Sequence, residues 1–259
     1  PQHGYGLWGN DEVFTVNRSD APGSPTALCV DNTSTGGCTD STCGAGGSPI
    51  IITENTPVLS ALYNDVDGKT AESMEIEVST DETFTDGTQQ FWNTTFTGLS
   101  LPANSRSSDV LYSGSGLVND STYYYRVRFT DTLANTGDWS TETVSFTKTT
   151  VPDDITLYAG RDNTNRANLT SGVWFAETDG EISFSWDEAF SSGSGTYYYV
   201  YDLNPGADSI DSSAPPVTST TDLYVDDMTV NTGISYFHVR SVNTHGVWGN
   251  EEVFEVRRS

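Results

Sequence analysis

Hydrophobic and polar residues alternate in several short segments of this chain, which predicts β-strands with one buried face. The clearest alternating sets are Met74, Ile76 and Val78; Tyr123, Tyr125, Val127 and Phe129; Ile182, Phe184 and Trp186; and Phe237 and Val239. Gly, Pro, Asn and Ser separate these segments, and no apolar stripe with a 3.6-residue period interrupts them. The pattern predicts an all-β protein built as an antiparallel β-sandwich.

One segment of the sequence occurs twice. Residues 6–19 return as residues 246–259 with ten of 14 positions identical, including the Trp-Gly-Asn triplet at Trp8 and at Trp248. A looser third copy covers residues 137–146. The apolar positions of the repeat, which we expect to form an assembly strand, are Trp8, Val13, Phe14 and Val16 at the start and Trp248, Val253, Phe254 and Val256 at the end.

The repeat divides the chain into a terminal strand and two modules. Residues 1–19 are equivalent to 245–259 and belong to a preceding or neighbouring module, 20–149 form module 1 and 150–259 form module 2. Residues 21–25, with two prolines around a glycine, are typical of a linker. Two interpretations stay open: a segment of a longer tandem array, which we favour, or a subunit whose free N-terminal strand completes a neighbour's sheet.

Several segments resemble a known family. Residues 59–68, 76–81, 121–128 and Trp139-Ser140 in module 1, and residues 184–186, 197–201 and 236–240 in module 2, are similar to fibronectin type III-like (Ig-like) repeats of large bacterial or archaeal surface proteins. The resemblance implies tandem β-sandwich modules and an extracellular, cell-surface location. It implies little about function, because such sandwiches carry many different roles.

The charge excludes some classes of partner. With 36 Asp and Glu against 11 Lys and Arg, the net charge is −25, which disfavours nucleic acids and anionic membranes. No apolar run is long enough to insert into a membrane within this segment. Because 12% of the residues are aromatic and only 18% are charged, we expect a folded, acidic protein.

Two loops carry candidate chemistry. Cys29, Cys38 and Cys43 lie in a Gly-, Ser- and Thr-rich stretch without zinc spacing, so we expect one disulfide whose pairing stays open. Asp65 and Asp67, two apart and followed by Gly68, resemble a calcium loop, although a solvated turn is the simpler interpretation. No cofactor is required, and calcium is the one candidate.

Surface modification and binding give further candidates. Five N-x-S/T sequons begin at Asn17, Asn32, Asn93, Asn119 and Asn168 and are candidate glycosylation sites. Trp8, Trp139 and Trp248 are expected to be buried at the ends of the sandwiches. Trp92 and Trp174, outside the repeat, are better candidates for contacts with glycans or with neighbouring subunits.

No pattern in the sequence points to catalysis. A nucleophile elbow is absent, and adjacent acidic residues on a strand point to opposite faces. We therefore expect a non-enzymatic structural repeat unit of an extracellular filament, sheath or giant surface protein, with further copies of itself as partners, in a tandem array or by strand complementation. The alternative is an adhesin or a glycan-binding accessory module of a larger secreted protein.

Overall fold

The computed structural model describes residues 20–35, 37–38, 49–161, 164, 168–176, 181–188, 198–204, 210 and 218–259, and these form two β-sandwiches. The strands of the first are β1 Gly23–Asp31, β2 Ile50–Ile52, β3 Val58–Asn64, β4 Ala71–Ser79, β5 Gln90–Leu101, β6 Val110–Leu111, β7 Ser121–Asp131 and β8 Val144–Lys148. The strands of the second are β9 Leu157–Gly160, β10 Trp174–Phe175, β11 Glu181–Trp186, β12 Tyr198–Asn204, β13 Thr218–Thr220, β14 Tyr224–Thr229, β15 Gly233–Val242 and β16 Trp248–Arg258. Single 3₁₀ turns cover Thr33–Thr35 and Gly87–Gln89.

The first sandwich packs a three-stranded sheet, ordered β1-β3-β6, on a five-stranded sheet ordered β2-β8-β7-β4-β5. Alternate residues of β4 and β7 enter the core between the sheets, as the sequence pattern predicts. Tyr63 from β3 meets Phe129 from β7 with ring centroids 5.0 Å apart, and Tyr123 stacks on Phe146. Aromatic rings therefore pack both between the two sheets, as Tyr63 and Phe129 do, and along one sheet, as Tyr123 and Phe146 do.

The second sandwich repeats this strand order. Its sheets run β9-β11-β14 and β10-β16-β15-β12-β13, so each strand takes the place of the strand eight numbers earlier. At its centre Phe184 of β11 stacks on Phe237 of β15, with centroids 3.9 Å apart and planes 6° apart. In each sandwich one short pairing is parallel, β2 with β8 and β10 with β16, and the other strand pairs are antiparallel.

The all-β sandwich fold predicted from the sequence is confirmed, with differences in detail. The expected linker 21–25 is partly strand, because β1 begins at Gly23, which pairs with Asn64. The third copy of the repeat, residues 137–146, is a strand only from Val144 onwards. Within the described part of the chain, no helix is long and apolar enough to cross a membrane.

Candidate functional site

The two sandwiches meet at a small polar junction, formed by Asp120, Thr149, Thr150, Asn243 and His245. Asn243 follows β15 and is 1% exposed. Its Nδ2 donates to the Thr149 hydroxyl at 3.1 Å and to the Thr150 carbonyl at 3.0 Å, at the end of the first sandwich. Its Oδ1 accepts the backbone N–H groups of His245 and Val247. One buried amide therefore shapes the turn before β16 and fixes this turn to the other sandwich.

A second contact crosses the junction. The Nε2 atom of His245 lies 3.2 Å from the Asp120 carboxylate, which belongs to the turn before β7. Thr149 is fully buried between the sandwiches. Next to it Lys148 donates to the Asn119 side chain and the Thr149 carbonyl, and burial lowers the pKa of its ammonium group. The connection between the sandwiches is short and hydrogen-bonded, with Thr149 and Pro152 buried and Val151 between them 48% exposed.

The turn before the last strand is built alike in both sandwiches. Asp131 accepts the N–H groups of the residues two and four positions later, as Asn243 does. Six residues after each stands a buried glycine, Gly137 or Gly249, packed against the proline that leads into that sandwich, Pro22 or Pro152. A Cβ at Gly137 would lie 2.4 Å from the Pro22 carbonyl oxygen, so only glycine fits.

Because Gly137 and Gly249 are equivalent, the third copy of the repeat, residues 137–146, aligns with the last copy by these glycines and not by their tryptophans. Gly137 takes the place of Gly249, so Trp139 occupies the position of Glu251 and not that of Trp248. The two tryptophans therefore have different surroundings. Both are half-buried on outer faces of the five-stranded sheets, so the expectation that they are buried end caps was wrong for both.

Trp139 belongs to a stack of alternating cations and rings, which we call the Arg–Trp ladder: Phe84, Arg126, Trp139 and Arg128. The Arg126 guanidinium lies 4.4 Å from the ring centres of both Phe84 and Trp139, and that of Arg128 lies 4.5 Å from Trp139. Each arginine also forms an ion pair across the sheet, Arg126 with Glu77 and Arg128 with Glu75, both at 2.6 Å. The ladder braces β4, β7 and the segment before β8.

The second sandwich places different residues at the ladder positions. His238 and Arg240 precede Asn243 by the same intervals as Arg126 and Arg128 precede Asp131. His238 is buried, with Nδ1 3.3 Å from the Glu251 carboxylate, and Arg240 stacks on Trp248 at 5.0 Å. Ile210 covers this face, since its N–H donates to Glu251 and its carbonyl accepts from Arg240. Glu251, Ile210 and Arg240 therefore form a chain of contacts on this face, whereas neither ring nitrogen of His238 has a hydrogen-bond partner among the described residues.

An open groove lies at one edge of the first sandwich. Its volume is about 490 Å³, and it lies between the edge strands β5 and β6 of the two sheets. Met74, Phe96, Leu99 and Leu111 are among its apolar lining residues, with the Asp109 carboxylate as the acidic group. Such a groove offers apolar contact with few oriented polar groups.

The predicted calcium residues are engaged in their own loop. Asp65 is 6% exposed and accepts hydrogen bonds from the Tyr63 hydroxyl and from the N–H groups of Asp67 and Lys69. The Asp67 carboxylate accepts the N–H of Asp20. Among the described residues, no three His, Cys, Asp or Glu side chains gather as a metal site. Calcium at Asp65 and Asp67 stays a prediction, and the contacts present are those of a hydrogen-bonded turn.

The cysteines and sequons lie in different surroundings. Cys29 is buried in β1 and Cys38 is half-buried nearby, whereas Cys43 lies outside the described residues, as does Asn17. Of the other sequon residues, Asn93 and Asn168 are exposed. Asn32 and Asn119 are half-buried and use their side-chain oxygens in hydrogen bonds, Asn32 to the backbone of Thr53 and Glu54 and Asn119 to Lys148. Asn93 and Asn168 are the accessible candidates for modification.

The two tryptophans expected at surface contacts differ. Trp174 is 53% exposed on β10. Trp92 is 8% exposed and packs edge-on against Tyr112, so its assignment to the surface was wrong. β5 is an edge strand, but its inward positions still reach the core beside β6.

The C-terminal copy of the expected assembly strand is β16. Phe254 and Val256 are buried in the core, Val253 is exposed and Trp248 is half-buried. β16 pairs with β15 along its length and with β10 only at Arg257 and Arg258. The N-terminal copy, with Trp8, Val13, Phe14 and Val16, lies outside the described residues.

Comparison with known proteins agrees with this architecture. Residues 38–149 match a family model described as the Rha78A-like, N-terminal immunoglobulin domain. No curated protein matches the chain.

Solved structures give distant likenesses. An alpha-L-rhamnosidase from Dictyoglumus thermophilum is 13% identical, with a TM-score of 0.39 over 92% of this chain, and the chain spans 29% of that protein's length. The fibronectin(III)-like modules of Clostridium thermocellum CbhA are 8% identical, with a TM-score of 0.38 over 89% of this chain and 94% of theirs. The chicken CNTN1 FN1–FN3 domains are 13% identical, with a TM-score of 0.32 over 92% of this chain and 68% of theirs.

The strand order and the family match together define the class. The chain is an Ig-like, fibronectin type III-like β-sandwich protein.

Proposed function

We propose that this chain is a structural repeat segment of a larger extracellular filament, sheath or surface protein, in which two sandwiches act as one stiff, non-catalytic spacer. The junction carries this proposal. Thr149 and Asn243, one from each side of the junction, are both at most 1% exposed and hydrogen-bonded to each other, a contact that a flexible tether would not keep. Stiffness between neighbouring modules is what an extended structural protein requires.

Sequence spacing is consistent with a tandem array. Pro152 follows the buried strand residue Phe146 by six positions, and Pro22 follows Val16 by six positions. In sequence spacing, residues 8–19 therefore precede the first sandwich in the same way as β8 precedes the second. A donated strand would have the same spacing, and the array is favoured because the last strand position of the second sandwich is already filled by its own β16.

The charge of the chain suits such an array. A net charge of −25 keeps neighbouring copies apart and discourages unspecific association between exposed sheet edges. An extracellular location follows from the same proposal. Calcium at Asp65 and Asp67 is a further proposal, and metal titration followed by NMR of the loop amides would test it.

The experiment that tests the proposal measures the relative orientation of the two sandwiches in solution. Backbone residual dipolar couplings of the 259-residue chain are fitted separately for each sandwich. We expect one alignment tensor to fit both. Two tensors of clearly different magnitude would show independent tumbling and would refute the stiff spacer.

A second function is favoured by the family match, which is to a domain named from a larger protein, Rha78A. We propose as the alternative a glycan-binding accessory module. Trp174 of β10 is 53% exposed beside Arg257, and Ile234 follows in the same row at 42% exposed, so an indole face is available to a sugar ring. A glycan array comparing the chain with Trp174→Ala tests this function, and the absence of Trp174-dependent binding would reject it.

A further inference from the structure

The segment Gly37–Cys38 lies on the outer face of the three-stranded sheet of the first sandwich. Cys29 in β1 is paired with Ser60 in β3, and its neighbours Leu28 and Val30 point into the core. The Cys29 side chain therefore points away from the core, yet the residue is 0% exposed.

Contacts of Cys38 explain the burial of Cys29. The Cys38 side chain is hydrogen-bonded to that of Cys29 and to that of Ser60. Its Sγ also lies 3.7 Å from the Val58 carbonyl oxygen, on the same strand as Ser60. Two thiols thus share one small site on the sheet, from two segments nine residues apart in sequence.

The backbone of this segment is held in place independently of the thiols. The N–H of Cys38 donates to the Asp109 carboxylate at 3.1 Å. Gly37 is buried next to the same carboxylate, and its φ of +85° is a backbone conformation that favours glycine. A backbone hydrogen bond and the turn at Gly37 therefore support the position of Cys38 beside Cys29.

We propose that Cys29 and Cys38 form a disulfide that fastens the segment after β1 to the outer face of the sheet. The oxidant is a low-molecular-weight disulfide such as oxidised glutathione. The Cys38 thiolate attacks one sulfur of the oxidant and releases one thiolate, which leaves a mixed disulfide on Cys38. The Cys29 thiol then gives up its proton and attacks the Cys38 sulfur, so that the second thiol leaves. Two protein thiols are oxidised and one small disulfide is reduced to two thiols.

The order of these steps follows from exposure and acidity. Cys38 is half-buried and reachable from solvent, whereas Cys29 is covered. The hydrogen bond from Cys29 is the main cause that lowers the pKa of the Cys38 thiol, which raises its thiolate fraction. Cys38 is therefore the sulfur that meets the oxidant, and Cys29 is the sulfur that resolves the mixed disulfide.

Peptide mapping identifies the pair directly. Trypsin leaves all three cysteines on one peptide, because no Lys or Arg lies between Arg18 and Lys69, but cleavage before aspartate separates them. It yields peptides 20–30 with Cys29, 31–39 with Cys38 and 40–64 with Cys43. The folded full chain is equilibrated in a glutathione redox buffer, alkylated, digested without reductant and analysed by mass spectrometry.

We expect peptides 20–30 and 31–39 to be linked, with the loss of two hydrogens, and the alkyl group only on Cys43. Cys43→Ala keeps the link. Cys29→Ala leaves Cys38 as a mixed disulfide with glutathione, whereas Cys38→Ala leaves Cys29 slow to react in the folded chain. A link that includes Cys43, or alkylation of all three cysteines in folded protein, would overturn the proposal.

Discussion

The substitution Asn243→Asp tests the junction with the smallest change in shape. The side chain keeps its outline and still accepts the N–H groups of His245 and Val247. It loses the Nδ2 donor that binds the Thr149 hydroxyl and the Thr150 carbonyl, and it places a carboxylate oxygen against that carbonyl. The turn before β16 should survive while the link between the sandwiches is lost.

The size of the effect follows from the burial of the site. Two hydrogen bonds contribute about 1 kcal/mol each, and a carboxylate at a position 1% exposed adds an unfavourable desolvation, so we expect a loss of about 2–4 kcal/mol at neutral pH. Protonation would restore a donor for the Thr150 carbonyl. The variant's folded-state pKa should therefore lie above the unfolded value, and the loss should shrink as the pH falls through it.

Urea unfolding, followed by tryptophan fluorescence at several pH values, measures this difference in the free energy of unfolding. Asn64→Asp is a matched control, because Asn64 also donates to a carbonyl, that of Ser24, and to the Thr26 hydroxyl, but within the first sandwich. Both variants should be less stable. Only Asn243→Asp should change the relative orientation of the sandwiches in residual dipolar couplings.

If Asn243→Asp unfolds within about 0.5 kcal/mol of the wild type at neutral pH, a limit typical of exposed substitutions, and one alignment tensor still fits both sandwiches, the Asn243 bonds do not hold the junction.

Three further outcomes are expected. Trp139→Ala removes the ring between two guanidinium groups and should lower the free energy of unfolding, measured with urea, by about 1–3 kcal/mol. Trp139→Phe should be intermediate in stability between the alanine variant and the wild type. Equal stability of the alanine variant and the wild type would count against the ladder. Gly137→Ala places a Cβ 2.4 Å from the Pro22 carbonyl oxygen and should lower the free energy of unfolding by roughly 1–3 kcal/mol. Gly116→Ala, with open space around it, should be as stable as the wild type. Equal free energies of unfolding for the two variants would contradict the packing described. Hydrogen bonds from Ser34 and Thr33 lower the pKa of Glu54 to about 2. The contribution of the Glu54 carboxylate to stability is therefore complete above its ordinary pKa of 4.5 and is lost as the pH falls towards 2. Glu54→Gln should flatten this dependence of stability on acid pH, and a Glu54 pKa near 4.5 measured by NMR would contradict the prediction.

The sequence predicts the fold well because periodicity reports local burial. Met74, Ile76 and Val78 alternate with polar residues on β4, and all three are buried as expected. Trp92 was misjudged because it lies outside the repeat, and its inward direction depends on β5 closing over Tyr112 of the other sheet. Contacts between sheets are not visible in the alternation of a single strand.

The junction could not be predicted for a similar reason. In the sequence, Asn243 is typical of an ordinary turn residue, and its hydrogen-bond partner Thr149 lies 94 positions earlier. The Arg–Trp ladder gave a weak signal in Arg126 and Arg128, two charged residues on one face of a predicted strand, although their stacking on Trp139 follows only from the tertiary structure. Long-range polar contacts depend on where the chain returns, and one sequence does not state this.

The central claim, that these residues are one segment of a longer tandem array of stiff sandwiches, is tested most directly by the mass of the natural polypeptide. The measurement is made on reduced, denatured protein from its source by gel electrophoresis and mass spectrometry. The account predicts a chain several times heavier than the 28.0 kDa segment, with the Trp-Gly-Asn motif recurring along it. A species near 28.0 kDa that begins at Pro1 would contradict the array and would favour assembly by a donated strand.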